Sequence, residues 1–144
     1  MKIADILEVK GHTVYSIRLW KTVADVVTEL TRARVGALLV LDAHDTIAGI
    51  VSERDIVSAL GRHGAATLAL EVTEVMTRQV RTCTSEDSVA RAMAAMTAGR
   101  HRHLPVVDNG QVAGMVSIGD LVKNRLREME LETGVLRDTV IARG

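Results

Sequence analysis

Residues 49–57 read Gly-Ile-Val-Ser-Glu-Arg-Asp-Ile-Val, and residues 114–122 read Gly-Met-Val-Ser-Ile-Gly-Asp-Leu-Val. Five of the nine positions are identical, and Ile50/Met115 and Ile56/Leu121 are apolar exchanges. The likeness runs well beyond this stretch. An offset of 66 places Val14-Tyr15-Ser16-Ile17 on Val80-Arg81-Thr82-Cys83, Thr22-Val23-Ala24 on Ser88-Val89-Ala90, and Leu38-Leu39-Val40-Leu41-Asp42 on Leu104-Pro105-Val106-Val107-Asp108. The offset falls to 65 after the loops 42–46 and 108–110. Two copies of about 60 residues each fill most of the 144-residue chain, and a copy that small buries its apolar faces poorly alone. The repeat therefore dictates two like units with a shared interface.

Each copy predicts the same order of elements. A short extended piece (13–17; 80–83) precedes Thr22 or Ser88, a helix-capping residue that opens an amphipathic helix (23–33; 89–98). Two apolar runs follow (37–41 and 46–51; 103–107 and 111–116), joined in the second copy by Asp108-Asn109-Gly110, where Asn and Gly tolerate the positive φ of a tight turn. Ser52 and Ser117 then cap a second helix (53–61; 118–131). The expected fold is α+β: two β-α-β-β-α repeats packed with pseudo-twofold symmetry. The expected organisation is repeat 1 over 1–62, a linker over 63–70 with Gly61 and Gly64 as helix stops, repeat 2 over 71–131, and a helical tail over 132–144. In the last part of the chain Leu121, Val122, Leu126, Met129, Val135, Leu136 and Val140 recur at helical spacing, either to pack on their own repeat or to make a dimer contact.

Charge and composition narrow the function. Eighteen basic and eighteen acidic side chains balance, so nothing favours non-specific binding to nucleic acid or acidic membranes. Tyr15 and Trp20 are the only aromatic residues, which removes the stacking platforms of single-strand binders. Cys83 is the only cysteine, which excludes an intrachain disulfide and suits a reducing compartment. The opening MKIADILEVK carries Asp5 and Glu8 and makes a poor signal peptide, and no apolar run reaches membrane-spanning length. The expectation is a cytoplasmic protein.

Two features carry possible chemistry. The first is Ser-x-x-Asp, as Ser52/Asp55 and Ser117/Asp120. It reads equally as a helix-capping pair and as a binding turn. Three points favour binding: the repetition, the use of Asp rather than the longer Glu of a capping box, and the glycine three residues before each serine, where a ligand could approach the backbone. Helix-start amides suit an anion, and an adjacent aspartate suits a vicinal diol, which together match a ribose phosphate. The second feature is Gly99-Arg100-His101-Arg102-His103-Leu104-Pro105, where Arg102 can grip an anion in two-pronged fashion, with Arg54 a second guanidinium inside the repeated turn. A metal site from Cys83, His101 and His103 lacks a ligand spacing. No phosphate loop, catalytic cysteine pair or nucleophile elbow is present, so no enzyme activity is expected.

The doubled Gly-h-h-Ser-x-x-Asp (h apolar), with Arg102-His103-Leu104-Pro105-Val106-Val107-Asp108 before the second copy, resembles a tandem pair of CBS (cystathionine-β-synthase) domains, a Bateman module. The segments SERDIV, RHLPVV and SIGDLVK are similar to small bacterial proteins made only of such a pair. The resemblance implies a regulatory sensor that binds adenosine compounds in two clefts between the repeats: AMP foremost, or ADP, ATP, NAD(H) or S-adenosylmethionine, with no catalytic cofactor. It implies a first cleft of Ala37, Ile50, Ser52, Arg54 and Asp55 with Thr82, His101 and Arg102. It implies a second of His103, Met115, Ser117 and Asp120 with Ser16, Val35 and Gly36. The motif aspartates would hold ribose hydroxyls. Arg54 becomes Gly119 in the second copy and Arg102 is Gly36 in the first, so the Asp55 cleft should favour the more phosphorylated ligand. The resemblance also implies a homodimer and an unidentified regulated protein; the alternative is a structural dimerisation module with empty clefts.

Overall fold

The computed structural model describes the backbone of residues 1–143 and the side chains of residues 1–131. Helix α1 (Ile3–Lys10) comes first. Strand β1 (Ser16–Arg18), helix α2 (Val23–Ala33), the hairpin β2 (Ala37–Leu41) and β3 (Ile47–Ser52), and helix α3 (Glu53–His63) form the first copy. Helix α4 (Val89–Gly99), the hairpin β4 (His103–Asp108) and β5 (Gln111–Ser117), and helix α5 (Ile118–Arg143) form the second. The caps work as the sequence implies: the Asp25 amide donates to Thr22 Oγ1 at 3.3 Å and the Arg91 amide to Ser88 Oγ at 3.1 Å. Asn109 and Gly110 adopt φ of 51° and 77°, the left-handed pair a two-residue hairpin needs.

One predicted strand is missing, and a proline explains it. In the first copy β1 runs parallel to β2, and the Leu39 amide donates to Tyr15 O at 3.1 Å. The matching position in the second copy is Pro105, which has no amide to donate. Pairing there shrinks to one bridge, with the Cys83 amide on Pro105 O (3.0 Å) and the Val107 amide on Cys83 O (2.8 Å). The first sheet therefore has three strands and the second two.

The chain divides into two compact units that partition it differently from the repeats. One holds residues 1–12 with the segment from Thr82 onward; the other is Thr13–Arg81. Helix α1, unpredicted as a helix, buries Ile3, Ile6 and Leu7 among Val89, Leu104, Val116 and Leu121 of the second copy. The segment before the second copy supplies Val72 and Val75 to the core of the first, beside Val26, Leu38, Val51 and Ile56. Each copy is thus completed by the stretch that precedes the other. The expected linker is ordered: Gly61 lies inside α3, Gly64 caps it at φ 60°, and a 3-10 turn over Gly64–Ala69 buries Thr67, whose hydroxyl donates to Gly64 O at 2.7 Å. Helix α5 continues through Gly134 to Arg143 rather than stopping at 131. The side chains of Val135, Leu136 and Val140 lie outside the described residues. Among the described residues no helix is long and apolar enough to cross a membrane.

Candidate functional site

Both Ser-x-x-Asp turns close as reciprocal capping boxes. In the first, the Ser52 amide donates to Asp55 Oδ2 at 2.9 Å while the Asp55 amide donates to Ser52 Oγ at 3.3 Å. In the second, the Ser117 amide donates to Asp120 Oδ2 at 2.8 Å and the Asp120 amide to Ser117 Oγ at 3.1 Å. An aspartate closes the box here, so the preference for Asp over Glu does not by itself signal a ligand. The helix starts are also less open to an anion than the sequence suggests. The Glu53 amide is taken by Gly36 O (3.0 Å) and the Ile118 amide by Arg102 O (2.8 Å), beside the Asp55 and Asp120 amides already bound to serine.

The glycines before the serines have a different role from the expected one. A Cβ on Gly49 would lie 2.7 Å from Met76 Sδ and 2.8 Å from Thr77 O; one on Gly114 would lie 2.7 Å from Leu7 Cδ2. Each glycine is a notch that seats the stretch crossing from before the other copy. It admits this chain's own residues and not a ligand.

Those crossing stretches meet the motif in parallel ways. In the first unit, Thr77 and Ile50 exchange backbone bonds (2.9 and 2.8 Å), and Thr77 Oγ1 donates to Asp55 Oδ1 at 3.2 Å. In the other, Lys10 Nζ donates to Met115 O at 2.7 Å and to Asp120 Oδ2 at 2.6 Å. Met115 and Asp120 match Ile50 and Asp55 in the repeat, so a lysine ammonium does there what a threonine does here. Partial burial alone would raise the Asp120 carboxyl; the bonds from Lys10 and the Ser117 amide outweigh it and hold the group below the usual carboxylate range. Among the described residues, Asp120 Oδ1 accepts no hydrogen bond, whereas both oxygens of Asp55 are engaged. Sequence reasoning missed Lys10 and Thr77. The available signal was Met76 aligning with Lys10 next to the repeated turn, but a hydroxyl and an ammonium share no sequence pattern.

The other expected site residues gather at the same end of each sheet. Ala37 pairs with Ser52 across β2–β3, with Val35 and Gly36 just before and Arg54 exposed on the first turn of α3. His103 pairs with Ser117 across β4–β5, with His101 and the exposed Arg102 just before. Ser16 opens β1 and is exposed, as is Thr82 beside Cys83. Each expected cleft draws on both compact units: Thr82, His101 and Arg102 lie in the unit of Asp120, and Ser16, Val35 and Gly36 in that of Asp55. Cys83 is buried, and burial, then Asp87 and Asp108, push its thiol up to about 11. Among the described residues no three His, Cys, Asp or Glu side chains are grouped to hold a metal.

Two copies of a helix–hairpin–helix unit, each ending in a capped Ser-x-x-Asp turn at the foot of a hairpin, define a tandem α+β repeat architecture. The CBS domain profile matches residues 21–62 and 72–127, and the chain belongs to the CBS domain family as a tandem pair. It is 37% identical over 134 residues to the mitochondrial CBS domain-containing protein CBSX3 of Arabidopsis thaliana, covering 88% of this chain and 65% of that protein's length. A CBS-domain protein of Agrobacterium tumefaciens superposes with a TM-score of 0.84 at 38% identity, over 86% of this chain and 92% of its own. One from Burkholderia ambifaria gives 0.83 at 39%, over 88% and 95%. The fold is shared with the CBS domain pair of protein MJ0100, solved with 5-methylthioadenosine and S-adenosyl-L-methionine (TM-score 0.75, 23% identity, 85% of this chain and 98% of that one).

Proposed function

We propose that this chain is a regulatory module that binds adenosine-containing ligands, AMP foremost, through its two Ser-x-x-Asp turns, without turning them over. One observation carries the reading. Each repeat holds a carboxylate in a fixed, half-buried turn, and Asp120 keeps a whole oxygen open to accept from a vicinal diol. At Asp55 the bond from Thr77 is the exchangeable one, because the capping bonds use Oδ2 and Thr77 uses Oδ1. Arg54 stands one residue away for a phosphate. At Asp120 the corresponding Gly119 offers no cation, but Lys10 does. This weakens the expected bias of phosphorylated ligands toward the Asp55 turn. The adenosine compounds held by the MJ0100 domain pair are the precedent for the ligand class.

A thermal-shift panel of AMP, ADP, ATP, NAD(H) and S-adenosylmethionine on the wild type and Asp55→Asn tests the proposal. A ligand that binds only the native state raises the melting temperature by mass action. A rise for at least one compound, reduced in Asp55→Asn, supports the reading, and recovery of the compound unchanged after incubation supports binding over catalysis. No rise for any compound contradicts it. A second reading, a dimerisation module, draws on Val122, Leu126 and Met129, which are 41%, 55% and 50% exposed along one side of α5. A monomer by analytical ultracentrifugation would remove it.

A further inference from the structure

The two motif aspartates differ in the hydrogen bonds they have left to accept. Each carboxylate oxygen carries two lone pairs, so each aspartate offers about four places. In both turns Oδ2 is full. Asp55 Oδ2 accepts from the Ser52 amide at 2.9 Å and the Ser52 hydroxyl at 3.1 Å. Asp120 Oδ2 accepts from the Ser117 amide at 2.8 Å and from Lys10 Nζ at 2.6 Å. The difference lies in Oδ1. At Asp55 it accepts from Thr77 Oγ1 at 3.2 Å, and at Asp120 it accepts nothing among the described residues. Asp55 Oδ1 therefore has one place left and Asp120 Oδ1 has two. The Thr77 hydroxyl is held there by its backbone. The Thr77 amide and carbonyl exchange bonds with Ile50 at 2.8 and 2.9 Å, and the Met76 amide donates to Val72 O at 2.8 Å. Thr77 O also lies against the Gly49 notch, 2.8 Å from where a Cβ would stand. Whenever nothing else takes the place, the anchored side chain returns its hydroxyl to Asp55.

We propose that Thr77 is a specificity-determining residue. It makes the Asp55 turn indifferent to whether a sugar brings a vicinal diol or a single hydroxyl, while the Asp120 turn selects the diol. The inference rests on the adenosine reading and adds the rule by which each turn chooses among sugars. At Asp120 both hydroxyls of a ribose find an unfilled lone pair on Oδ1. At Asp55 the first hydroxyl fills the remaining place, and the second enters only by turning the Thr77 hydroxyl away. One bond is then lost for the one gained, so the second hydroxyl adds little. A 2′-deoxyribose, with one hydroxyl on its ring, binds the Asp55 turn about as well as ribose does. Lys10 imposes no such limit at Asp120, because its bonds go to Oδ2 and to Met115 O.

AMP and 2′-deoxy-AMP are titrated into the full chain as wild type, Thr77→Val and Thr77→Ser. Backbone amide NMR follows the two turns separately, through Asp55 and Asp120. In the wild type, loss of the 2′-hydroxyl should weaken binding about tenfold at Asp120 and less than about threefold at Asp55. Valine keeps the branched shape of Thr77 and both backbone bonds to Ile50 but has no hydroxyl. Thr77→Val should therefore raise the penalty at Asp55 to about tenfold and leave Asp120 as it was. Thr77→Ser, which keeps the hydroxyl, should retain the wild-type pattern. A merely structural Thr77 would weaken both nucleotides alike and leave their ratio unmoved. Equal penalties at the two turns of the wild type, an unmoved ratio at Asp55 in Thr77→Val, or binding confined to one turn in all three proteins would overturn the proposal. Methyl β-D-ribofuranoside and its 2-deoxy counterpart, which carry neither base nor phosphate, are titrated in parallel. If AMP binds without the pattern, this proposal alone falls. If AMP does not bind and the ribosides show the pattern, the adenosine reading alone falls. If no probe shifts either aspartate, both fall.

Discussion

Gly49→Ala and Gly114→Ala test whether the motif glycines are notches for the chain's own crossing stretches. At Gly49 the new Cβ would meet Thr77 O at 2.8 Å, a backbone atom locked by the two Ile50–Thr77 hydrogen bonds, and Met76 Sδ at 2.7 Å. Ordinary contact begins near 3.4 Å, so the Thr77 backbone must retreat by more than half an ångström. That strains two hydrogen bonds worth about 1 kcal/mol each and adds an overpacking cost of about 1–3 kcal/mol. The reduced freedom of the unfolded chain returns about 0.5–1 kcal/mol. The net loss is about 2–3 kcal/mol, or roughly 4–12 °C of melting temperature for a chain of this size. At Gly114 the clash is with the far end of Leu7, at 2.7 Å from Cδ2, and a leucine can turn to another rotamer at a cost of about 1 kcal/mol. Urea unfolding midpoints with unchanged slopes should therefore rank wild type, Gly114→Ala, Gly49→Ala in falling stability. Equal losses, or the reverse order, would refute the reasoning. A Gly49→Ala protein of wild-type stability that had lost ligand binding would restore the glycine as a point of ligand approach.

Further predictions concern single groups. In Lys10→Met, Asp120 keeps its burial but loses its ammonium. The wild-type carboxyl is depressed, so its contribution to stability is complete above the ordinary carboxylate pKa and disappears as pH falls through the lower folded value. The variant should lose about 1 kcal/mol at neutral pH, a modest sum because Lys10 is 38% exposed. Its acid unfolding by circular dichroism should begin at higher pH, and an unmoved acid limb would contradict this. Pro105→Ala restores a strand amide, which should donate to Arg81 O and show slow hydrogen exchange; fast exchange there would remove the proline as the reason for the short pairing. Cys83, with its thiol near 11, should be about one-thousandth thiolate at pH 8 and react with thiol reagents only on the timescale of unfolding. Rapid labelling of the native protein would contradict its burial.

The repeat made most of the fold legible, because capping residues, apolar runs and the Asn-Gly turn act locally. Thr22, Ser52, Ser88 and Ser117 each stand at the start of the helix they were expected to open. What escaped the sequence depends on contacts between distant segments. The stretch 1–12 looks like the beginning of the first copy, and it takes the packing of Ile3, Ile6 and Leu7 among Val89, Leu104 and Val116, with the notch at Gly114, to show that it belongs with the second. Pro105 was visible as a difference from Leu39, but its effect appears only once Tyr15 O and Arg81 O are seen as equivalent acceptors. The site was legible in its aspartates and serines. Lys10 stayed hidden because its partners are more than a hundred residues away.

The most direct test of the account is whether the motif aspartates bind a ribose diol. Calorimetry with AMP and its 2′,3′-dideoxy analogue, on wild type and on Asp55→Asn/Asp120→Asn, isolates that bond. Asparagine keeps an oxygen for the capping amide, so the turn persists while the charged acceptor is lost. The account predicts that removing the diol weakens binding at least tenfold in the wild type and less than threefold in the double variant. The same loss in both proteins, or none in either, would mean the aspartates only cap helices and the ligand, if one binds, is recognised elsewhere.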